Sequence, residues 1–98
     1  MTIYTQGTWH TKPGHEDAFV AAWEAFAIWS KTAFPTLKPL LMRNHDEPST
    51  FVSIGPWPTL EMIGEWRASD EFQAHIANIQ EHVDGYTVTL LDETLDLR

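Results

Sequence analysis

The sequence predicts an α+β domain: a four-stranded antiparallel sheet with helices on one face. Three observations carry that prediction. The chain opens on "TIYTQGTWH", whose residues alternate in character. Two later segments repeat apolar residues at spacings of three and four. Between and after them lie further extended runs bounded by Pro, Gly, Asp and Ser. At 98 residues the whole chain, 1–98, reads as a single domain.

The opening strand places Ile3, Thr5, Gly7 and Trp9 on one face and Tyr4, Gln6, Thr8 and His10 on the other. "TKPG" follows, with Pro13 before Gly14 as a turn signal. Glu16 and Asp17 suit the positive end of a helix. From His15 to Phe34 the apolar stripe of Phe19, Trp23, Phe26 and Ala27 predicts that helix, and Pro35 ends it. "LKPLLMRNH" predicts a second strand. Pro39 lacks a backbone donor, so this strand lies at an edge or starts after it. "TFVSIGPW" reads as a central third strand, apolar on both faces.

"PTLEMIGEW" predicts a short helix with Leu60, Ile63 and Trp66 on one side. Ser69 and Asp70 can cap another, whose stripe runs Phe72, Ile76, Ile79 and Val83 until "DGY" breaks it. "TVTLLDETLDL" predicts the last strand. The order is β-α-β-β-α-β with a split second helix, the ferredoxin-like plan. Its right-handed crossovers put strands one and three in the centre. Tyr4, Val52 and Ile54, or their face-mates, then leave an apolar outer sheet face, which a second copy of the chain would cover.

Composition narrows function. Six Lys and Arg against fourteen Asp and Glu give a net charge of −8, which repels a phosphate backbone; nucleic acid is not an expected partner. No apolar run approaches the roughly 20 residues of a membrane span. The N-terminal stretch lacks a signal-peptide pattern, and the expected location is cytoplasmic. With no cysteine there is no disulfide, thiolate metal site or cysteine nucleophile. Phosphate-binding glycine motifs, GxSxG and HExxH are all missing, and no metal site is expected.

The remaining chemistry lies in five tryptophans and five histidines. Trp23 sits on the inward stripe and reads as core, while Trp29 lies off it. Trp9, Trp57 and Trp66 fall near strand–helix junctions, expected at one end of the sheet. There they either plug a small core or stack on a planar aromatic ligand. His75 and His82 are a heptad apart on the last helical stretch. Each is either a boundary histidine or a group facing the space between helix and sheet.

The segments "KPGHEDAF" and "FVSIGPWPTLEMIGEWRASDEFQAHI" resemble the antibiotic biosynthesis monooxygenase-like domains of the dimeric α+β barrel superfamily. The resemblance spans the whole domain. It implies a homodimer, each subunit holding a pocket between sheet and helices. It also implies oxygenation of quinol or polycyclic substrates without metal, haem or flavin. Trp57 matches the tryptophan that closes the third strand in quinol-oxidising members. The asparagine four residues before it is Ser53 here, and the tyrosine six after it is Ile63. In a haem-degrading branch the ligand histidine would fall at Ile76, one position beyond His75, and the first-strand asparagine is Gln6 or Gly7 here.

The expected function is a cofactor-independent monooxygenase acting on a quinol or polyphenol-like aromatic small molecule. Its expected catalytic residues are His75, Trp57 and Ser53. Trp9, Trp66, Phe72 and Ile63 are expected to bind substrate. The alternatives are a non-catalytic small-molecule-binding domain of the same fold and, behind it, a haem-degrading monooxygenase.

Overall fold

The computed structural model describes residues 2–98. Its elements are β1 (Ile3–Thr11), α1 (Glu16–Ala33), β2 (Leu40–Arg43), β3 (Thr50–Trp57), α2 (Leu60–Ala68), α3 (Asp70–Gln80) and β4 (Val83–Asp92). The sheet order is β2-β3-β1-β4, every pair antiparallel, so the fold is ferredoxin-like with β1 and β3 central. No described helix is long and apolar enough to cross a membrane.

Local chemistry explains the boundaries. Pro13 and Gly14 turn the chain out of β1, Gly14 at φ 83. Glu16 and Asp17 then occupy the first turn of α1. The Glu16 carboxylate accepts from the Ser49 hydroxyl at 2.7 Å and from Thr11 at 3.4 Å. These bonds, Ser49 foremost, hold its carboxyl below the usual range and tie the helix start to the β2–β3 loop. β2 starts after Pro39, at an edge, where a missing N–H is harmless. The Thr59 hydroxyl caps α2 by accepting from Met62 N–H, and Ser69 caps α3 by accepting from Phe72 N–H.

One face of the sheet carries the core. Trp9, Phe51, Trp57 and Val83 meet Phe19, Ala22, Trp23 and Phe26 of α1, Ile63 and Trp66 of α2 and Ile79 of α3. Phe19 is fully buried, and burial of such a side chain stabilises by about 1.5–3 kcal/mol. The other face is apolar and open. Leu40 opposes Ile54, Met42 opposes Val52 and Leu91 opposes Tyr4. Leu40, Met42 and Leu91 are 52%, 44% and 42% exposed, so a broad apolar patch faces outward.

The chain departs from the sequence reading after α3. That helix ends at Gln80, so Val83 is no part of a helical stripe; it is the first residue of β4, buried by sheet pairing. "DGY" does not break a helix. Gly85 and Tyr86 lie inside β4, opposite His10 and Trp9, beside a bulge at His10/Thr11. His82 therefore leaves the helix, and its Nδ1 lies 3.1 Å from Nδ1 of His15.

A side chain at Gly14 would meet nothing within 4 Å, so only backbone strain opposes one. Gly14→Ala is expected to lower stability by about 1–2 kcal/mol in urea unfolding, since a residue with Cβ resists positive φ. An unchanged midpoint would rule out that turn geometry.

Candidate functional site

A cavity of about 300 Å³ lies between the sheet and the helices. This is the lower end of the range for small-molecule sites, about 300–1,000 Å³. Its sheet wall comes from the inward side chains of three strands: Thr5, Gly7 and Trp9 of β1, Ser53, Gly55 and Trp57 of β3, and Tyr86 and Val88 of β4. Its helical wall comes from Trp23, Phe26 and Ser30 of α1, Trp66 and Arg67 of α2, and Phe72, Gln73 and Ile76 of α3.

Aromatic rings hold each other in place around it. Trp57 and Trp66 pack at 4.8 Å between centroids, Trp66 and Phe72 at 4.7 Å, and Trp66 stacks on Phe26 at 5.4 Å. Tyr86 stacks on Trp9 at 5.0 Å and 18°. Such pairs add about 0.5–1.5 kcal/mol each beyond their burial. They also fix flat apolar surfaces against which another flat ring can lie.

Each indole N–H in this layer needs an acceptor. Trp57 donates to the Thr5 hydroxyl at 3.2 Å, and Thr5 donates onward to the Gly55 carbonyl at 3.4 Å. Trp66 donates to the Ser30 hydroxyl at 2.9 Å, and Ser30 donates to the Phe26 carbonyl at 2.8 Å. Trp9 donates to Ser53 Oγ at 3.0 Å. Ser53 differs from the other two hydroxyls: its own hydrogen has no acceptor among the described residues, so it is free to donate into the cavity. Trp23 Nε1 is buried with no partner among the described residues. Leaving such a donor unpaired costs about 1–3 kcal/mol.

The carboxylates and imidazoles of the described residues sit elsewhere. Among the described residues no Asp, Glu or His lines the cavity. Arg67 is the one cationic side chain in its wall, half-buried and outside the ion pairs, which belong to Arg98. No cluster of three or more His, Cys, Asp or Glu that could hold a metal occurs among the described residues.

The structure brings most of the expected site residues to one space. Trp57, Ser53, Trp9, Trp66 and Phe72 all line the cavity. Ile63 does not; it is fully buried in the core. His75 does not either. Its ring stacks on Trp29 at 5.6 Å and 27°, and lies 5.9 Å from Phe26, so Phe26 takes the cavity-facing place. Trp9 and Trp57 are not at one end of the sheet. Antiparallel pairing sets Trp57 opposite Ile3 and Trp9 opposite Phe51, six residues and about 20 Å apart along the strands. They line different ends of one cavity. Sequence reasoning missed Trp23 and Tyr86 as wall residues. Nothing in helical periodicity separates a cavity-facing Trp23 from a packed one, and Tyr86 was hidden by the misplaced end of α3.

The sequence profile of the antibiotic biosynthesis monooxygenases matches residues 2–78. Among solved structures the chain is similar to a mutant of SnoaB, a cofactor-independent oxygenase from Streptomyces nogalater. The TM-score is 0.88 at 15% identity, over 98% of this chain and 96% of that one. It is similar to an antibiotic biosynthesis monooxygenase at TM-score 0.78 and 22% identity, over 95% of this chain and 99% of that one. It is also similar to Rv0793 from Mycobacterium tuberculosis, at TM-score 0.83 and 17% identity over 100% of both chains. At these identities the structural likenesses establish a common fold. Among curated proteins none matches this chain.

Gly7 has no room for a side chain. A Cβ there would stand 2.7 Å from Trp9 Nε1 and 2.8 Å from Ser53 Oγ. Gly7→Ala is therefore expected to part Trp9 from Ser53 and to lower stability by about 1–3 kcal/mol, the usual cost of overpacking. Urea unfolding and near-ultraviolet circular dichroism of the tryptophans check it; wild-type values in both would show that the indole does not lie over Gly7.

Proposed function

Because the chain belongs to the antibiotic biosynthesis monooxygenase family, we propose that it is a cofactor-independent monooxygenase for a quinol or polyphenol-like aromatic small molecule, working as a homodimer. The observation that carries the reading is the cavity of stacked indole and phenyl rings, with a few donors and, among the described residues, no carboxylate or imidazole in its wall. A flat, electron-rich ring fits between such walls, with Trp57 and Trp66 at one end and Trp9 at the other.

For a hydroquinone the reaction balances without an added reductant. The ring loses a hydroxyl proton, and the electron-rich anion reduces O₂. A carbon–oxygen bond forms, one oxygen atom stays on the ring and the other leaves as water. Hydroquinone plus O₂ becomes hydroxyquinone plus water, the ring giving up all four electrons. The free Ser53 hydroxyl hydrogen donates to a ring oxygen, and Trp57 supplies a stacking face. His75, an expected catalytic residue and by its chemistry the natural base, has its ring on Trp29 and against Phe26, so the proton passes to water at the cavity mouth. The haem-degrading reading has no imidazole at the cavity among the described residues to support it. A non-catalytic binding domain is the second reading. It is favoured by the same lack of a base in the cavity wall.

The homodimer rests on the open outer sheet face with Leu40, Met42 and Leu91 exposed. A sheet-to-sheet contact of about 1,500 Å² in total is of normal size for a stable pair.

Oxygen uptake with simple hydroquinones in chelator-treated buffer tests the reaction. Wild type is expected to consume O₂ above the buffer rate, and Ser53→Ala to slow it at least about tenfold, the loss of one donor to an anionic oxygen. His75→Ala is expected to leave it unchanged; a fall of about 100-fold would restore His75 as the base. Ligand binding without any uptake would establish the binding-domain reading instead. Sedimentation is expected to give twice the 11.2 kDa chain mass, and Met42→Asp to halve it. A wild-type monomer at micromolar concentration would overturn the dimer.

A further inference from the structure

Arg67 brings a positive charge to the wall of the cavity, and no described carboxylate in that wall balances it. The residue is half-buried, in the last turn of α2, directly after Trp66. A cation suits the end of a helix. That role is met anywhere around the last turn and does not require a place in the cavity wall. Gln73, also in the wall, donates to the Arg67 carbonyl at 3.0 Å and ties this end of α2 to α3. The guanidinium itself has no acidic partner among the described residues. Both ion pairs there are made by Arg98, and the cation–π contact is Arg43 over Phe51. The chain has fourteen Asp and Glu against six Lys and Arg, so partners for a cation are plentiful, yet Arg67 is left without one. Taking a charge partly out of water without a counter-ion costs free energy, and a ligand that brings the counter-ion offsets that cost.

We propose that Arg67 is a specificity-determining residue that pairs with a carboxylate on the bound aromatic ligand, so that the cavity takes aromatic acids in preference to neutral rings of the same shape. The proposal rests on the reading of the cavity as the ligand site. The planar guanidinium fork matches a carboxylate with two parallel N–H donors, and such charge-assisted bonds are roughly twice as strong as neutral ones. Apolar walls discriminate poorly between rings of one shape, whereas a polar group that needs its partner discriminates well. The net charge of −8 repels an anion at a distance, so a preference for one has to come from a local cation. The pair also divides the work inside the cavity. Arg67 neutralises the carboxylate and fixes the direction of the ring, and the Ser53 hydroxyl is left for a ring oxygen.

The test is isothermal titration calorimetry at neutral pH with a matched pair of probes. β-Naphthoate is an anion there, and β-naphthamide is its neutral counterpart of the same shape. Wild type is expected to bind naphthoate at least about tenfold more tightly than naphthamide, the margin of a charged over a neutral hydrogen bond. Naphthamide is expected to displace naphthoate, since both use one cavity. In Arg67→Gln the preference is expected to vanish while naphthamide affinity stays. Arg67→Lys, which keeps the charge but loses the fork, is expected to bind naphthoate more weakly than wild type and naphthamide equally well. Equal binding of the two probes to wild type, a preference that survives Arg67→Gln, or naphthoate that naphthamide does not displace would overturn the role of Arg67 and leave the cavity reading standing. Binding of neither probe would overturn the cavity reading and this proposal together. If Arg67→Gln does not fold, Arg67→Lys decides: weakened naphthoate binding supports the proposal, and wild-type affinity overturns it.

Discussion

The layer between sheet and helices is governed by one requirement: each buried indole must find an acceptor where water cannot supply one. Thr5, Ser30 and Ser53 meet it for Trp57, Trp66 and Trp9. Each pair joins distant parts of the chain. Trp57 ties the end of β3 to β1, Trp9 ties β1 back to β3, and Trp66 ties α2 to α1. A hydroxyl lost from any pair would strand a buried N–H, at about 1–3 kcal/mol. These three bonds therefore fix ring orientation as well as position, which apolar packing alone does loosely.

The cavity follows from the same constraint. Rings held by hydrogen bonds at their edges and by stacking on their faces cannot rotate to fill the space they enclose. The sheet side is thinned by glycine. Trp9 lies so close over Gly7 that a Cβ would collide with its indole nitrogen, and a Cβ on Gly55 would stand 3.2 Å from Leu37. Small residues under large rings give a wall that is flat and rigid. Protein interiors elsewhere close such gaps by adjusting side chains; here the adjustment is blocked at both ends.

The fold was largely legible because its signals are local. Alternation in β1, the Pro35 and Pro39 punctuation and the Ser69 cap all act within a few residues of themselves. The end of α3 was not legible. Val83 continues the apolar spacing of a helix, and only its pairing beside the β1 bulge pulls it into β4. The site was half legible. Tryptophan-rich junctions pointed to Trp57, Trp9 and Trp66 as wall residues, but their relative placement depends on strand direction, which no single segment encodes. His75 fails for a related reason. Helical spacing puts it near the inward stripe, but Phe26 and Trp29 of the neighbouring helix decide which way its ring is covered. Trp23 was not legible as a polar group, because whether its indole nitrogen finds an acceptor depends on the packing of α1 against the other elements.

The distribution of charge suits the electron-rich ligand proposed above. The chain carries a net −8, yet no described carboxylate lines the cavity. A carboxylate there would oppose a second negative charge nearby, raising the pKa of a bound phenol and starving O₂ of a donor. Donors act in the opposite sense. The Ser53 hydroxyl and Arg67, both in the cavity wall, favour an anionic oxygen. Acidic residues on the exterior keep the chain soluble without entering this balance, since their interactions across solvent fade within about 10 Å at ordinary salt. A protein that removes a proton with a strong base must place that base against its substrate. One that stabilises the anion needs only donors, rigid apolar walls and the exclusion of competing charge, and these are the properties of this cavity.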